Sequence, residues 1–308
     1  MTMKKIRFTA TACALLWMGH AAIGQPDKLT RQLVEAAENG NAGVVETLLA
    51  QGADIEARDA SDQTALKVAC EHAHVDVVRV LLGRGANAEA KSNSKGMPVN
   101  WAIGGDGNIP RTQYADRLAV VKMLLDKKVN IETRTIAGIT PLMLAAYNYR
   151  DVEILRLLLT KGANVEARDD QGRTALMEAV QEDHTDAETM LLTHGAKIDA
   201  ADSRGHTALM HAVSKGHIDS VSLLLSKGAK LEAVDNEGQT ALFRAAIDDN
   251  SSGGGDYAAV TKFLIEKGAN VNAKDDHGRR PLEMAINSGR TQVAKLLRDS
   301  GAQWTGQR

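Results

Sequence analysis

Aromatic side chains are scarce in this chain, with three Trp, four Tyr and three Phe among 308 residues. Cysteine is scarcer still. Cys13 lies in an N-terminal apolar run, so once that run is removed Cys70 stands alone and a disulfide framework is excluded. The run itself, Phe8 to Met18, falls short of the roughly 20 apolar residues that a membrane-crossing helix needs. Neither charge sign dominates, 37 Lys and Arg facing 39 Asp and Glu. That balance supplies no clustered basic face for nucleic acid and no basic patch for anionic lipid. The phosphate-binding, nucleophile-elbow and dinucleotide phrases that mark common enzymes are missing. Gly253 to Gly255 follows no strand and precedes no Lys, and it reads as a flexible loop. We therefore expect a noncatalytic protein with no cofactor, no metal and no catalytic residue.

What is present is repetition. Gly-x-Thr-Ala-Leu recurs at Gly172, Gly205 and Gly238, close to every 33 residues, and Leu-Leu-x-x-Gly-Ala keeps the same step at Leu81, Leu158, Leu191 and Leu224. A fixed period of this length marks a stacked array in which no single unit buries its apolar face alone. Anchored on the Thr position, the units fall at Arg31, Thr64, Met97, Thr140, Thr174, Thr207, Thr240 and Arg280, which makes eight. Thr140-Pro141-Leu142, then Ala145, with Gly162-Ala163 closing the unit, resembles the ankyrin repeat, and the resemblance extends over roughly residues 27 to 302. It implies an all-α repeat solenoid of helix-turn-helix units joined by β-hairpin loops, one elongated domain over 25–302. The units are expected near 27–58, 59–91, 92–134, 135–168, 169–201, 202–234, 235–274 and 275–302, with 303–308 as a tail.

Each phrase has a local job. In Asp235-Asn236-Glu237-Gly238-Gln239-Thr240 the Asp and Asn favour a turn, Gly supplies positive φ, and the Thr hydroxyl is placed to cap the next helix. Pro141 and Pro281 follow the cap, where a missing N–H costs nothing. Ile154, Leu155, Leu158 and Leu159 form the apolar stripe of a second helix that Gly162 ends in the left-handed region. Lys128 holds that Gly position in the third unit, an expected weak joint. Two units are longer than the rest, with extra residues at 104–115 and 248–256 that carry loop formers and leave the helices in phase. The His that often follows Thr-Pro-Leu in the family is absent, replaced by Lys67, Asn100, Met143, Met177, Met210, Phe243 and Glu283. Arg280 and Arg298 suit a polar C-terminal cap, and the first unit, lacking a turn before Leu33, reads as the N-terminal one.

Residues 1–24 stand outside the pattern. Lys4, Lys5 and Arg7 precede the apolar run, and Ala22-Ile23-Gly24 ends it, the three-part layout of a secretory signal peptide with cleavage expected after Gly24. Removing its three basic residues leaves 34 Lys and Arg against 39 Asp and Glu, a formal charge of −5. A periplasmic or secreted location follows as an expectation.

Nine His residues are the chain's candidates for chemistry. His74, His184 and His217 share one repeat phase and read as structural, while His72 and His74 lack a converging second pair. His206 and His211, five apart across a helix start, are expected to share no face. Asp169-Asp170 and Asp275-Asp276 read as solvated turn acids, and Cys70 as a small packed residue at a position that Ala37 and Ala146 fill elsewhere.

A binding surface remains. The resemblance implies that hairpin tips and exposed first-helix positions line a concave face that holds a partner protein. By phase these include Ile136, Ile139, Tyr147, Asn148, Arg173, Gln181, His206 and Lys215. Most are polar, but the fourth unit carries Ile136, Ile139 and Tyr147, and Trp101, Tyr114, Tyr147 and Tyr149 concentrate in units three and four. Tyr and Trp bury much area with few rotors, which suits them to interface anchors. Tyr147 and Ile139 are expected to meet the partner, and Trp101 to fill the core. The resulting expectation is a monomeric interaction scaffold of the bacterial cell envelope, without nucleic acid or stable membrane insertion. The alternative is a secreted effector, or a toxin-immunity or inhibitor protein, that acts by binding.

Overall fold

Thr and Asp write the entry to each unit. In the computed structural model, described for residues 28–92, 96–104, 113–148, 152–247 and 256–304, Asp59, Asp169, Asp202, Asp235 and Asp275 each turn Oδ1 onto two backbone N–H groups, two and four residues ahead. The same residues close the loop through the backbone, as in Asp169 N–H to the Arg173 carbonyl at 3.0 Å. Thr64, Thr140 and Thr207 then stand in extended conformation and accept from the N–H three residues on, at 3.2 to 3.4 Å. Such a cap is worth about 1 kcal/mol. Thr174 and Thr240 make no such bond, so the expected cap is realised in some units and not in others.

Sixteen helices follow among the described residues, in eight pairs. They are α1 Lys28–Glu38 and α2 Ala42–Ala50, α3 Ala65–Glu71 and α4 Val75–Gly83, α5 Pro98–Gly104 and α6 Tyr114–Asp126, α7 Pro141–Tyr147 and α8 Val152–Thr160. The remaining pairs are α9 Ala175–Gln181 and α10 Thr185–Thr193, α11 Ala208–Lys215 and α12 Ile218–Ser226, α13 Ala241–Ala246 and α14 Tyr257–Glu266, α15 Pro281–Asn287 and α16 Thr291–Asp299. First helices pack on first helices and second on second, which makes two parallel rows. The first row is sandwiched between the hairpin loops and the second row, so α9 buries every residue from Ala175 to Val180. Helices of the second row bury one stripe, as Ile154, Leu155, Leu158 and Leu159 do in α8. One apolar core runs unbroken from Leu33 to Leu297. The hairpins form without named strands among the described residues; the isolated bridge Ala201–Thr207 marks one of them.

Three kinds of contact tie each unit to the next. Glu56, Glu89, Glu132, Glu166, Asp199 and Glu232 each accept the backbone N–H of the following unit's loop, from Asn87, Asn130, Asn164, Lys197, Lys230 and Asn270, at 2.7 to 3.0 Å. His74, His184 and His217, the residues just before α4, α10 and α12, reach back to the carbonyls of Glu38, Ala146 and Val180 in the preceding unit. Their shared phase thus has a shared structural cause. Hairpin backbones pair directly as well, Asp170 N–H with Ala137, Ser203 with Gln171, Asn236 with Arg204 and Asp276 with Glu237. Cys70 is fully buried, and burial pushes its thiol well above the ordinary range. Arg298 is exposed on α16, as a capping unit requires. Much of the 104–115 and 248–256 insertions, Tyr149 and the expected signal peptide fall outside the described residues.

Lys128 adopts φ +59°, where the equivalent glycines, Gly52, Gly85, Gly162, Gly195, Gly228, Gly268 and Gly301, stand between +85° and +92°. Around those glycines a Cβ would meet nothing within 4 Å, so only the backbone conformation penalises a side chain there. Lys128→Gly is accordingly expected to raise the unfolding free energy by about 1 kcal/mol. An unchanged or lower urea midpoint would show that the third unit carries no strain at this joint.

Candidate functional site

Two positions in units two to eight lie on the hairpin side of the first-helix row. One is the residue just before the cap: Gln63, Gly96, Ile139, Arg173, His206, Gln239 and Arg279. The other, four residues after the cap, is filled by Val68, Trp101, Leu144, Glu178, His211, Arg244 and Met284. Read in order, this face changes character. It is apolar in units three and four and ionic in units five to seven.

The ionic half is internally paired. Arg173 binds Asp169 Oδ2 through Nε at 2.9 Å and Nη2 at 2.8 Å, and its Nη1 lies 3.0 Å from Glu178 Oε1. Gln181 Nε2 donates to Glu178 Oε2 at 3.4 Å. Burial raises the Glu178 pKa against the opposing pull of Arg173. One unit on, His211 Nε2 lies 3.0 Å from Asp202 Oδ2, and His206 sits between two carboxylates, Nδ1 3.6 Å from Asp202 Oδ2 and Nε2 3.5 Å from Asp235 Oδ2. Burial works against ionising Asp202, but its hydrogen bonds with His211 and with the backbone N–H groups of His206 and Arg204 outweigh it and hold the carboxyl at about 2. Burial, with Arg244 close by, pushes His206 down. Arg279 continues the series, bound to Asp275 at 2.7 Å and 3.7 Å from Glu237.

Two expectations are corrected here. The rings of His206 and His211 stand 5.7 Å apart in an edge arrangement and both face Asp202, so they do share a surface. His206 precedes the cap residue Thr207, whose backbone is extended, and helical spacing does not govern it. Asp169 and Asp275 are buried and ion-paired, not solvated; their neighbours Asp170 and Asp276 are the exposed ones.

The apolar half is more open. Ile136, at a hairpin tip, is 60% exposed and Tyr147, ending α7, is 51% exposed. The Glu182 carboxylate beside the Tyr147 hydroxyl raises its pKa. Ile139 is half-buried and packs against the core, and Asn148 closes α7 through its N–H to the Leu144 carbonyl at 3.1 Å. Lys215 ends α11 half-buried, and Gln239 is buried altogether. Trp101, expected in the core, is half-buried, with Lys67 Nζ 4.0 Å above its ring. Lys67 Nζ also donates to Gln63 Oε1 and Glu71 Oε2, so the cation over the Trp is itself held by an amide and a carboxylate. Sequence spacing gives no sign of this cation–π contact.

Models of ankyrin repeats, three copies long, match residues 10–109, 112–202, 191–253 and 235–307. The chain belongs to the ankyrin repeat family. Its structure is similar to the human ASB11 ankyrin repeat domain, with 25% identity and a TM-score of 0.60 over 68% of this chain and 89% of that one. A comparison with curated proteins finds no match. Ankyrin arrays are protein-interaction scaffolds and are generally noncatalytic. Among the described residues no helix is long and apolar enough to cross a membrane.

Proposed function

We propose that this ankyrin protein is an exported, noncatalytic scaffold that holds another protein on its concave face, anchored on the fourth repeat. One observation carries the reading: Ile136 and Tyr147 keep large apolar surface in water at positions where the repeat frame accepts polar residues, as Asp170 and Ser203 demonstrate for the first and Gln181 for the second in neighbouring units. Among the described residues the other large exposed hydrophobic side chains, Val44, Val234 and Trp304, lie apart, in the first unit, the sixth unit and the C-terminal tail. A partner with an apolar anchor for the fourth repeat and polar groups for repeats five to seven fits the change of character along this face. Export rests on the basic, apolar and small-residue order of residues 1–24.

The test is affinity capture from the native envelope fraction with the chain from Gln25 onward, against an Ile136→Asp, Tyr147→Asp control. Both side chains are exposed, so the control should unfold within about 0.5 kcal/mol of the parent. A protein held by the parent and lost by the control supports the proposal. Equal capture by both would place the partner elsewhere on the array.

A further inference from the structure

The sixth repeat carries a convergence that protein binding does not require. Asp202, His206 and His211 bring one donor atom each to within 4.8 Å of one another. We propose that they form a binding site for a divalent transition ion of the zinc class, open on the concave face. This does not depend on the partner reading above.

The repeat frame itself explains the convergence. In the fifth repeat the positions equivalent to His206 and His211 hold Arg173 and Glu178, which meet at 3.0 Å. Side chains at these two places therefore point at each other by construction, and the sixth repeat places an imidazole at both. The third donor is fixed from behind. Asp202 Oδ1 is committed to the N–H groups of Arg204 and His206 at 2.8 and 2.9 Å, which leaves Oδ2 turned toward the two rings. Its distances to His211 Nε2 and His206 Nδ1, 3.0 and 3.6 Å, bracket the roughly 3.4 Å between donors around a tetrahedral ion with bonds near 2.1 Å.

Outer contacts fit as well. With His206 Nδ1 directed at the ion, its Nε2–H faces Asp235 Oδ2 at 3.5 Å, the carboxylate–imidazole arrangement that orients metal-binding histidines. Asp235 is itself buried and held by its own turn. The three donor side chains retain 6 to 17% exposure, sheltered but reachable from the groove. Around His206 the Asp202 and Asp235 carboxylates oppose the nearby Arg244 cation. Two imidazoles and one carboxylate suit Zn²⁺, Co²⁺, Ni²⁺ or Cu²⁺ over Mg²⁺ or Ca²⁺. Three protein donors leave at least one coordination position for water or for a donor from a bound partner.

The decisive experiment is calorimetric titration of the untagged, metal-stripped full chain with zinc chloride, paired with its absorption spectrum in Co²⁺. We expect one ion per chain with Kd of about 1 to 10 µM, a Co²⁺ visible band typical of four or five ligands, and no displacement by excess Mg²⁺ or Ca²⁺. His206→Gln and His211→Gln should each weaken binding at least about tenfold. A His72→Gln, His74→Gln variant, which removes the other close imidazole pair, stacked at 5.8 Å, should bind as the parent does. Absence of a one-to-one site in the parent, read from either signal and independent of how any variant folds, would overturn the proposal. Binding that survives loss of both His206 and His211, or that disappears with His72 and His74, would overturn it too.

Discussion

Gly172→Ala should lower the unfolding free energy by about 3 kcal/mol, whereas Gly278→Ala, at the same place in the last repeat, should cost only about 1. The two glycines hold φ of +77° and +76° respectively, where an L side chain is penalised by about 1 kcal/mol or a little more. The difference lies in what stands opposite. A Cβ on Gly172 would come within 2.8 Å of Ser203 N and 3.3 Å of the Asp202 carbonyl carbon, both backbone atoms of the next hairpin. Ser203 N is already held by the Gln171 carbonyl at 2.9 Å, so relief requires the two repeats to separate. Gly278 has nothing within 4 Å among the described residues. Urea unfolding of the two variants against the parent isolates the stacking contact from the conformational one. Equal losses would mean that the hairpins do not press on one another, and that the array is held by its helices alone.

The same glycine position explains what was legible in the sequence and what was not. A period of 33 superimposes equivalent residues, so the Thr anchors, the Gly landmarks and the helix pairing could be read from recurrence alone. Repeat two departs by placing Asp62 at φ +61° where Gly172 stands in repeat five, with Arg58 bound to its carboxylate at 2.9 Å. Asp tolerates this region through local hydrogen bonds, and a search for Gly passes over it. The acidic residues that staple each loop to the next lie 31 to 41 residues from their partners. They recur in phase, but their role depends on the distance between stacked units, which no spacing within one repeat reveals. The site suffered most from that limit. Reasoning on helix faces separated His206 from His211, yet the extended residue between hairpin and helix folds the first back over the second. Arg173 and Gln181 sit on the expected face but are tied to Asp169 and Glu178, so their availability to a partner could not be inferred from polarity. Ile136 and Tyr147 were readable, because an apolar residue breaking a polar phase is visible without coordinates.

Glu188 supplies the second large effect, and it concerns pH. It occupies α10 at the phase filled by Leu155 and Val221 in the flanking repeats, with 0% exposure. Its carboxyl meets the Ser220 hydroxyl, which also bonds Asp183 Oδ1 at 2.8 Å. A hydroxyl has one proton to give. With that proton on Asp183, Ser220 Oγ can only accept from Glu188, and the arrangement closes when Glu188 is protonated. Burial first, then the Asp183 charge, raises its pKa from 4.5 to about 7, against the pull of Ser220. The folded chain therefore keeps a proton that the unfolded chain loses, and stability falls as pH rises from about 4.5 to about 7, then levels off. Glu188→Gln retains a donor for Ser220 and removes the titration. The variant should exceed the parent by about 2 to 3 kcal/mol at pH 8 and match it near pH 5. Buried His184, whose pKa is lowered chiefly by burial, bends the profile the opposite way, losing stability as pH falls, but it does so in both proteins and cancels in the comparison. Parallel pH profiles for parent and variant would show that Glu188 is ionised and solvated in the folded chain, and that repeats five and six meet less closely than Asp183, Glu188 and Ser220 require.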